Sequence, residues 1–171
     1  MTMTFILGGA RSGKSAHGQA LAERAAAARG GGLFLIATAQ ALDGEMADRI
    51  RRHQAERGAA WRTIEAPIDI AGAIEGLMAD DVAVVDCLTL WLSNLMMNDI
   101  DIGAAGSSLI DVLKESPADI ILISNEVGLG IVPDNALARR FRDEAGRLHQ
   151  RIAAIADHVH LAMAGLILTM K

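Results

Sequence analysis

Apolar residues along the chain fall into short continuous runs, and the stretches between them carry helical spacing. The runs Thr4–Leu7, Leu33–Ala37, Val82–Val85, Asp119–Ser124 and His158–Ala162 are apolar on both faces, as expected of strands covered by helices on each side. Between them the spacing predicts helices over Lys14–Ala28, Gly44–Arg57, Ile68–Met78, Leu88–Asn98, Ser107–Glu115 and Asn135–Ala156. Pro117 and Pro133 both fall outside these helices, where proline is tolerated. Strands alternating with helices predict an α/β fold with a mostly parallel central sheet. With no internal repeat, low-complexity tract or linker, the whole chain, 1–171, reads as a single domain.

Composition narrows the function. Half of the residues are hydrophobic (51%) against 22% charged, which excludes a disordered tail and leaves apolar surface for a partner. The net charge of −5 supplies no basic field, so neither nucleic acid nor an anionic membrane is an expected partner. No stretch reaches the ~18 uncharged apolar residues of a membrane span, so no membrane insertion is expected. The first residues lack the basic start of a secretory signal. Cys87 is the only cysteine and cannot form an internal disulfide, which agrees with a cytoplasmic location.

The strongest chemical signal is Gly8-Gly9-Ala10-Arg11-Ser12-Gly13-Lys14-Ser15, which satisfies G-x-x-x-x-G-K-[ST] between a predicted strand and a predicted helix. In such a phosphate loop, backbone N–H groups converge on phosphate oxygens and the helix start adds partial positive charge. Lys14 would neutralise the β and γ oxygens, and the Ser15 hydroxyl would ligate Mg²⁺. Asp86, ending the run Val82–Val85, stands where a second magnesium ligand belongs, although a strand-end aspartate also serves as a helix N-cap. Thr89 either joins that site or caps the helix that follows.

A polar stripe marks the second predicted helix. Glu45, Arg49, His53 and Arg57 are four apart and share one face, with Met46 and Ile50 rotated away to pack. Spacing alone fits a solvated helix with ion pairs. Chemistry adds a second reading, because a neutral imidazole attacks phosphorus, and Arg49, Arg52 and Arg57 would disfavour its protonated form while holding phosphate oxygens. His17 begins the helix after the phosphate loop, His149 sits on a long amphipathic helix, and His158 and His160 alternate on a strand without a Cys or carboxylate cluster. None of these makes a metal site by sequence. The segment Leu88–Met97 is apolar most of the way round and fits a subunit interface or a core helix equally.

Taken together, several segments resemble the adenosylcobinamide kinase / adenosylcobinamide-phosphate guanylyltransferase family over nearly the whole chain. They are the phosphate loop, Ile36-Ala37-Thr38-Ala39, Arg49-Ile50 with His53, Trp61–Glu65, Val85-Asp86-Cys87-Leu88-Thr89, Ser124–Pro133, and Leu137–Asp143 with Gly146-Arg147. The Arg-Ile-x-x-His and Asn-Glu-Val-Gly-x-Gly-x-Val-Pro elements are the more specific ones. That resemblance implies a RecA-like P-loop fold, a homotrimer, and His53 as the residue that carries GMP covalently. It also implies nucleotide contacts from Gly8 to Ser15, from Ala37, Thr38 and Ala39, from Gln54, Ala55, Glu56 and Arg57, and from Glu65 and Asp86. Lys14 and His53 would be the catalytic residues, and Ser15 and Asp86 the Mg²⁺ ligands. ATP, GTP, adenosylcobinamide and adenosylcobinamide phosphate would be the small-molecule substrates. His149 departs from the Asn usual in the family, and Arg52 stands where some relatives carry another His. Two rivals remain open: a P-loop small-molecule kinase with His53 on its surface, and a nucleotide-dependent switch that orders Asn125–Pro133.

Overall fold

The computed structural model describes residues 1–40 and 58–171. Seven strands, β1 (Met3–Gly8), β2 (Leu33–Ala37), β3 (Trp61–Glu65), β4 (Val82–Asp86), β5 (Asp119–Asn125), β6 (His158–Met163) and β7 (Leu166–Thr169), form one sheet in the order β3-β2-β4-β5-β1-β6-β7. Every pairing is parallel except β6 with β7. The described helices are α1 (Lys14–Arg29), α2 (Ile70–Glu75), α3 (Leu88–Met97), α4 (Ile102–Glu115) and α5 (Ala136–Ile155). The predicted helix Gly44–Arg57 lies outside the described residues.

Alternation along each strand sorts the core into two layers. Ile6, Val84, Ile121 and Ile123 meet Ala22 and Ala26 of α1 on one face. Phe5, Val85 and Leu122 meet Ile70, Trp91, Leu109, Leu148 and Ile152 of the other four helices on the opposite face. Helix α5 shows the logic at sequence level: Ala145, Leu148, His149 and Ile152 recur at helical spacing and are its buried residues. Asn135 caps its start by accepting from the Leu137 and Ala138 N–H groups. At its end Lys171 Nζ donates to the carbonyls of Ala153, Ala154 and Ala156.

Four features differ from the sequence-based expectation. Helix α2 spans only Ile70–Glu75 where the spacing predicts Ile68–Met78, because Asp69 caps its start and the chain leaves the helix at Gly76. The edge strand β3 was not predicted, because Arg62, Thr63 and Glu65 are all exposed and its five residues carry no clean alternation. Strand β7 is exposed along its whole length, so burial left no pattern to read. It is created by a two-residue turn in which Ala164 and Gly165 both have positive φ (52° and 79°), the conformation that matches the twist of a hairpin. Helix α4 starts five residues before the predicted Ser107, at Ile102. Its Asp101 cap accepts from Ala104 N–H, and the small residues of its first turn concealed the period.

Helix α3 belongs to the core of the chain: Leu88, Trp91, Leu92 and Leu95 are buried, which decides between the two readings of that segment. Its Asn94 binds two strand-end loops, donating from Nδ2 to Thr38 O (2.8 Å) and Pro67 O (2.9 Å). Replacing Asn94 with Ala leaves both carbonyls without that donor and is expected to lower unfolding stability by about 2 kcal/mol. A lower urea midpoint at unchanged m-value checks this.

Candidate active site

All six parallel strands point their C-terminal ends to one edge, the place where open α/β sheets bind ligands. Register fixes who stands there. Ala37 pairs with both Glu65 and Asp86, and Gly8 pairs with both Asn125 and Ala162. Because β5 lies between β1 and β4, the phosphate loop and Asp86 stand two strands apart with Asn125 between them.

Gly8 to Ser15 leave β1 and enter α1 through backbone conformations that few residues adopt. Gly13, the N-cap of α1, has φ 96°, and Arg11 has φ 54°. A side chain at Gly8 would put a Cβ 2.5 Å from Ala162 O and 2.5 Å from Ser12 Oγ, so only glycine fits. The loop is held from both sides: Glu126 N–H donates to Gly8 O (3.1 Å), and Gly165 N–H, in the β6–β7 turn, donates to Ser12 O (3.0 Å). Lys14 is buried, and its Nζ donates to Gly9 O at 3.0 Å, folding the ammonium back over the loop. Ser12 Oγ is buried and has no hydrogen-bond partner. A buried hydroxyl in this loop is a donor that a phosphate oxygen would satisfy.

Around the end of β4 a polar network joins three strands. Thr38 is fully buried; its Oγ1 accepts from Cys87 N–H and donates to Cys87 O, both at 2.8 Å. Asn125 Nδ2 donates to Thr89 Oγ1 (2.7 Å), which in turn lies 3.2 Å from Cys87 Sγ. Burial first, and then the Asp86 carboxylate, push the Cys87 thiol pKa up; the bond to Thr89 and the charge of Lys14 act in the opposite direction. The thiol is therefore an inert packing group.

The N-cap of α3 is Cys87, and no side chain caps that helix, so neither Asp86 nor Thr89 serves as its cap. Asp86 is half-buried at the sheet edge, and Thr89 joins the polar network. Ser15 is half-buried in the first turn of α1, and Glu65 is exposed at the end of β3. Hydroxyl and carboxylate oxygens are the hard donors that Mg²⁺ selects, so Ser15 and Asp86 fit it chemically. His53, Gln54, Ala55, Glu56 and Arg57 lie outside the described residues, as does Glu45. Asn125 was not among the expected site residues, although it carries the same signal as Asp86, a polar residue ending an apolar strand. Beside the phosphate loop, Ser12, Arg11, Glu126, Leu129, Leu161 and Met163 line a cleft of about 680 Å³.

Residues 4–170 match the family model described as cobinamide kinase / cobinamide phosphate guanyltransferase. The chain belongs to this family. Among its relatives, the bifunctional adenosylcobalamin biosynthesis protein CobP of Pseudomonas aeruginosa is 50% identical over 98% of this chain and 96% of its own length. The protein of the same description named CobU in Salmonella typhimurium is 40% identical, over 99% of both chains. Its Escherichia coli counterpart is 38% identical, again over 99% of both. Solved structures that share the fold include a KaiC-like protein of Pyrococcus horikoshii, with a TM-score of 0.54 and 14% identity over 94% of this chain and 70% of that one. The flagellar accessory protein FlaH of Methanocaldococcus jannaschii gives a TM-score of 0.54 and 13% identity over 99% and 78% of the two chains. The fold is thus the RecA-like P-loop fold that the family resemblance implied. Among the described residues no helix is long and apolar enough to cross a membrane.

His149 is buried, its Nε2 2.8 Å from Ser124 Oγ and its ring against Phe5. Burial holds its pKa below the ordinary 6.5, with Glu126 pulling the other way. The unfolded chain therefore takes up a proton on this residue at higher pH than the folded one. Stability from this group is complete above pH 6.5 and is lost as pH falls from there through the folded pKa. His149→Asn should flatten part of the fall in urea midpoint between pH 7.5 and 5.5, and an unchanged slope would count against this assignment.

Proposed function

We propose that the chain is a bifunctional enzyme of cobalamin nucleotide-loop assembly, with the phosphate loop at the end of β1 serving both of its reactions. The observation that carries this reading is the buried Lys14 folded over the loop, beside the buried, unpartnered Ser12 hydroxyl, in a chain that matches the kinase and guanyltransferase family over residues 4–170. One domain, 1–171, hosts both steps in the cytoplasm.

In the first step ATP or GTP lies with its phosphates on the backbone N–H groups of Gly9 to Ser15, and the hydroxyl of adenosylcobinamide attacks the γ-phosphorus. The γ–β bridging bond breaks, the nucleoside diphosphate leaves, and the attacking hydroxyl gives its proton to an oxygen of the transferred phosphoryl group. Lys14 and the start of α1 neutralise the charge that grows on the departing oxygens, and positioning supplies most of the remaining acceleration. Mg²⁺, when held by Ser15 and Asp86, adds charge neutralisation. Asn125, between the loop and Asp86, is suited to orient the incoming hydroxyl.

In the second step a ring nitrogen of His53 attacks the α-phosphorus of GTP, and the bond to the β-phosphate oxygen breaks to release pyrophosphate. A phosphate oxygen of adenosylcobinamide phosphate then attacks the same phosphorus. The P–N bond breaks, and adenosylcobinamide-GDP forms as the imidazole leaves. Protonating the ring makes it a better leaving group. Ala37, Thr38 and Ala39 at the end of β2, residues Gln54 to Arg57, and Glu65 complete the nucleotide contacts in this reading.

A homotrimer fits the surface. Leu129, Ile131, Leu166, Leu168 and Met170 are each more than 60% exposed, and β7 is an edge strand whose side chains are exposed throughout. Exposed apolar residues on an open sheet edge mark an interaction surface, and a second copy of the chain is the occupant we assign to it. Leu166→Asp with Leu168→Asp should reduce the mass measured by sedimentation to that of a smaller species.

α-Labelled GTP tests the transferase step. Wild-type protein should retain acid-labile, alkali-stable label, His53→Ala should retain none while still phosphorylating adenosylcobinamide, and Lys14→Ala should lose both activities. Label that persists in His53→Ala would remove this residue as carrier. A protein that never takes α-label but consumes ATP with adenosylcobinamide would be a kinase alone. Nucleotide binding without any turnover would indicate a switch.

A further inference from the structure

Two histidines that are 143 positions apart in the chain meet beside the phosphate loop: His17 Nε2 lies 3.0 Å from His160 Nδ1. His17 is one turn into α1 beyond Lys14, and His160 stands on β6 opposite Ile6 of β1. We propose that this pair is a binding site for a borderline-soft divalent metal ion such as Zn²⁺ or Ni²⁺, held by His17 Nε2 and His160 Nδ1 and separate from the Mg²⁺ that accompanies the nucleotide.

The separation is the first argument. Imidazole nitrogens bind such ions at about 2.0–2.1 Å, so two rings on adjacent coordination positions stand roughly 2.9–3.4 Å apart, nitrogen to nitrogen. The observed 3.0 Å lies within that interval. Ligand chemistry is the second. Imidazole prefers the zinc–nickel–copper group, whereas Mg²⁺ keeps to oxygen donors, so the two ions sort between the two sites. Protonation state is the third. Burial, then the neighbouring His160 and Arg24, hold His17 toward its neutral form, and burial and then His158 do the same for His160. Neutral rings are the metal-binding form.

The same geometry serves as an imidazole–imidazole hydrogen bond when no ion is bound, one ring donating N–H to the other's lone pair. Binding a metal requires lone pairs on both facing nitrogens, so the donor ring shifts its proton to its outer nitrogen. His17 then carries Nδ1–H and His160 carries Nε2–H, with no net proton released at neutral pH. His158, exposed and stacked on His160 with ring centroids 6.3 Å apart, is not needed as a ligand. Among the described residues no group of three or more His, Cys, Asp or Glu side chains is placed to hold a metal ion, so the proposal rests on this pair alone. A bound ion would tie the first turn of α1, and through it the end of the phosphate loop, to β6.

Titration of the EDTA-treated full chain with NiCl₂ or ZnCl₂ at pH 7.5, in excess Mg²⁺ and GTP, tests the site. Wild-type Tm should rise saturably with one ion bound per chain. His17→Gln and His160→Gln should each lose the rise and at least tenfold in affinity, whereas His158→Gln should keep both. In wild-type protein loaded with Co²⁺, proton NMR should show two exchangeable hyperfine-shifted ring N–H signals from this pair. A Tm response that survives either ring substitution, loss of the response in His158→Gln, or a wild-type spectrum without the two signals overturns the proposal and leaves the pair as a hydrogen bond.

Discussion

The close approach of the β1 end to the β6 backbone is the constraint on which the site depends. At Gly8 the chain passes so near Ala162 that no side chain fits, and from there the loop turns through two left-handed residues before α1 begins. These conformations are costly in isolation and persist because neighbours on both sides fix them. Glu126 on the β5 side and Gly165 on the hairpin side each donate a hydrogen bond into the loop. The antiparallel hairpin, which looks like an appendage to a parallel sheet, therefore helps to hold the glycine-rich loop in place. Its turn is one wall of the loop, and its exposed strand continues outward as apolar surface.

Strand order turns that local constraint into a working arrangement. Inserting β5 between β1 and β4 separates the phosphate loop from Asp86 by two strand spacings, close to 10 Å. The polar network at the β4 end keeps this gap fixed. Thr38, Cys87, Thr89, Asn94 and Asn125 bind one another or one another's backbone, so the loops after β2, β4 and β5 move as one piece. Such a network is stable because it is almost fully satisfied. The exception among buried side-chain atoms in the described residues, Ser12 Oγ, is at the place where a ligand oxygen is expected.

What could be read from the sequence divides along one physical line. Features dictated by consecutive residues were legible: the phosphate loop, the strands buried on both faces, the amphipathic α5. Features dictated by contacts between distant residues were not. Strand β3 gains its structure by pairing with β2, with only Trp61 and Ile64 partly buried, and β7 by the turn at Ala164–Gly165, with every residue exposed. Asp86 was ambiguous between ligand and cap until the helix start at Cys87 removed the cap. Thr89 reads in sequence as either a site residue or a cap, and the bond from Asn125 places it in the polar network at the end of β4. The apolar segment Leu88–Met97 reads identically as core or interface, because hydrophobicity records that a face is covered and not by what.

The histidines follow the same division. His158 and His160 alternate on a strand with no donor nearby in sequence, and His17 lies on the first turns of a different element; only the β1–β6 pairing brings them together. Their position has a mechanical consequence independent of any metal. Helix α1 rests on the sheet through small residues such as Gly18, Ala22 and Ala26, and Arg29 ties its far end to Ala79 O and Asp119. The His17–His160 contact adds a directional bond at the end of the helix nearest the phosphate loop, where sliding would displace Lys14 and the N–H groups that phosphate must meet. Orientation of those donors is what the chemistry requires, since phosphoryl transfer asks the protein for placement more than for covalent work.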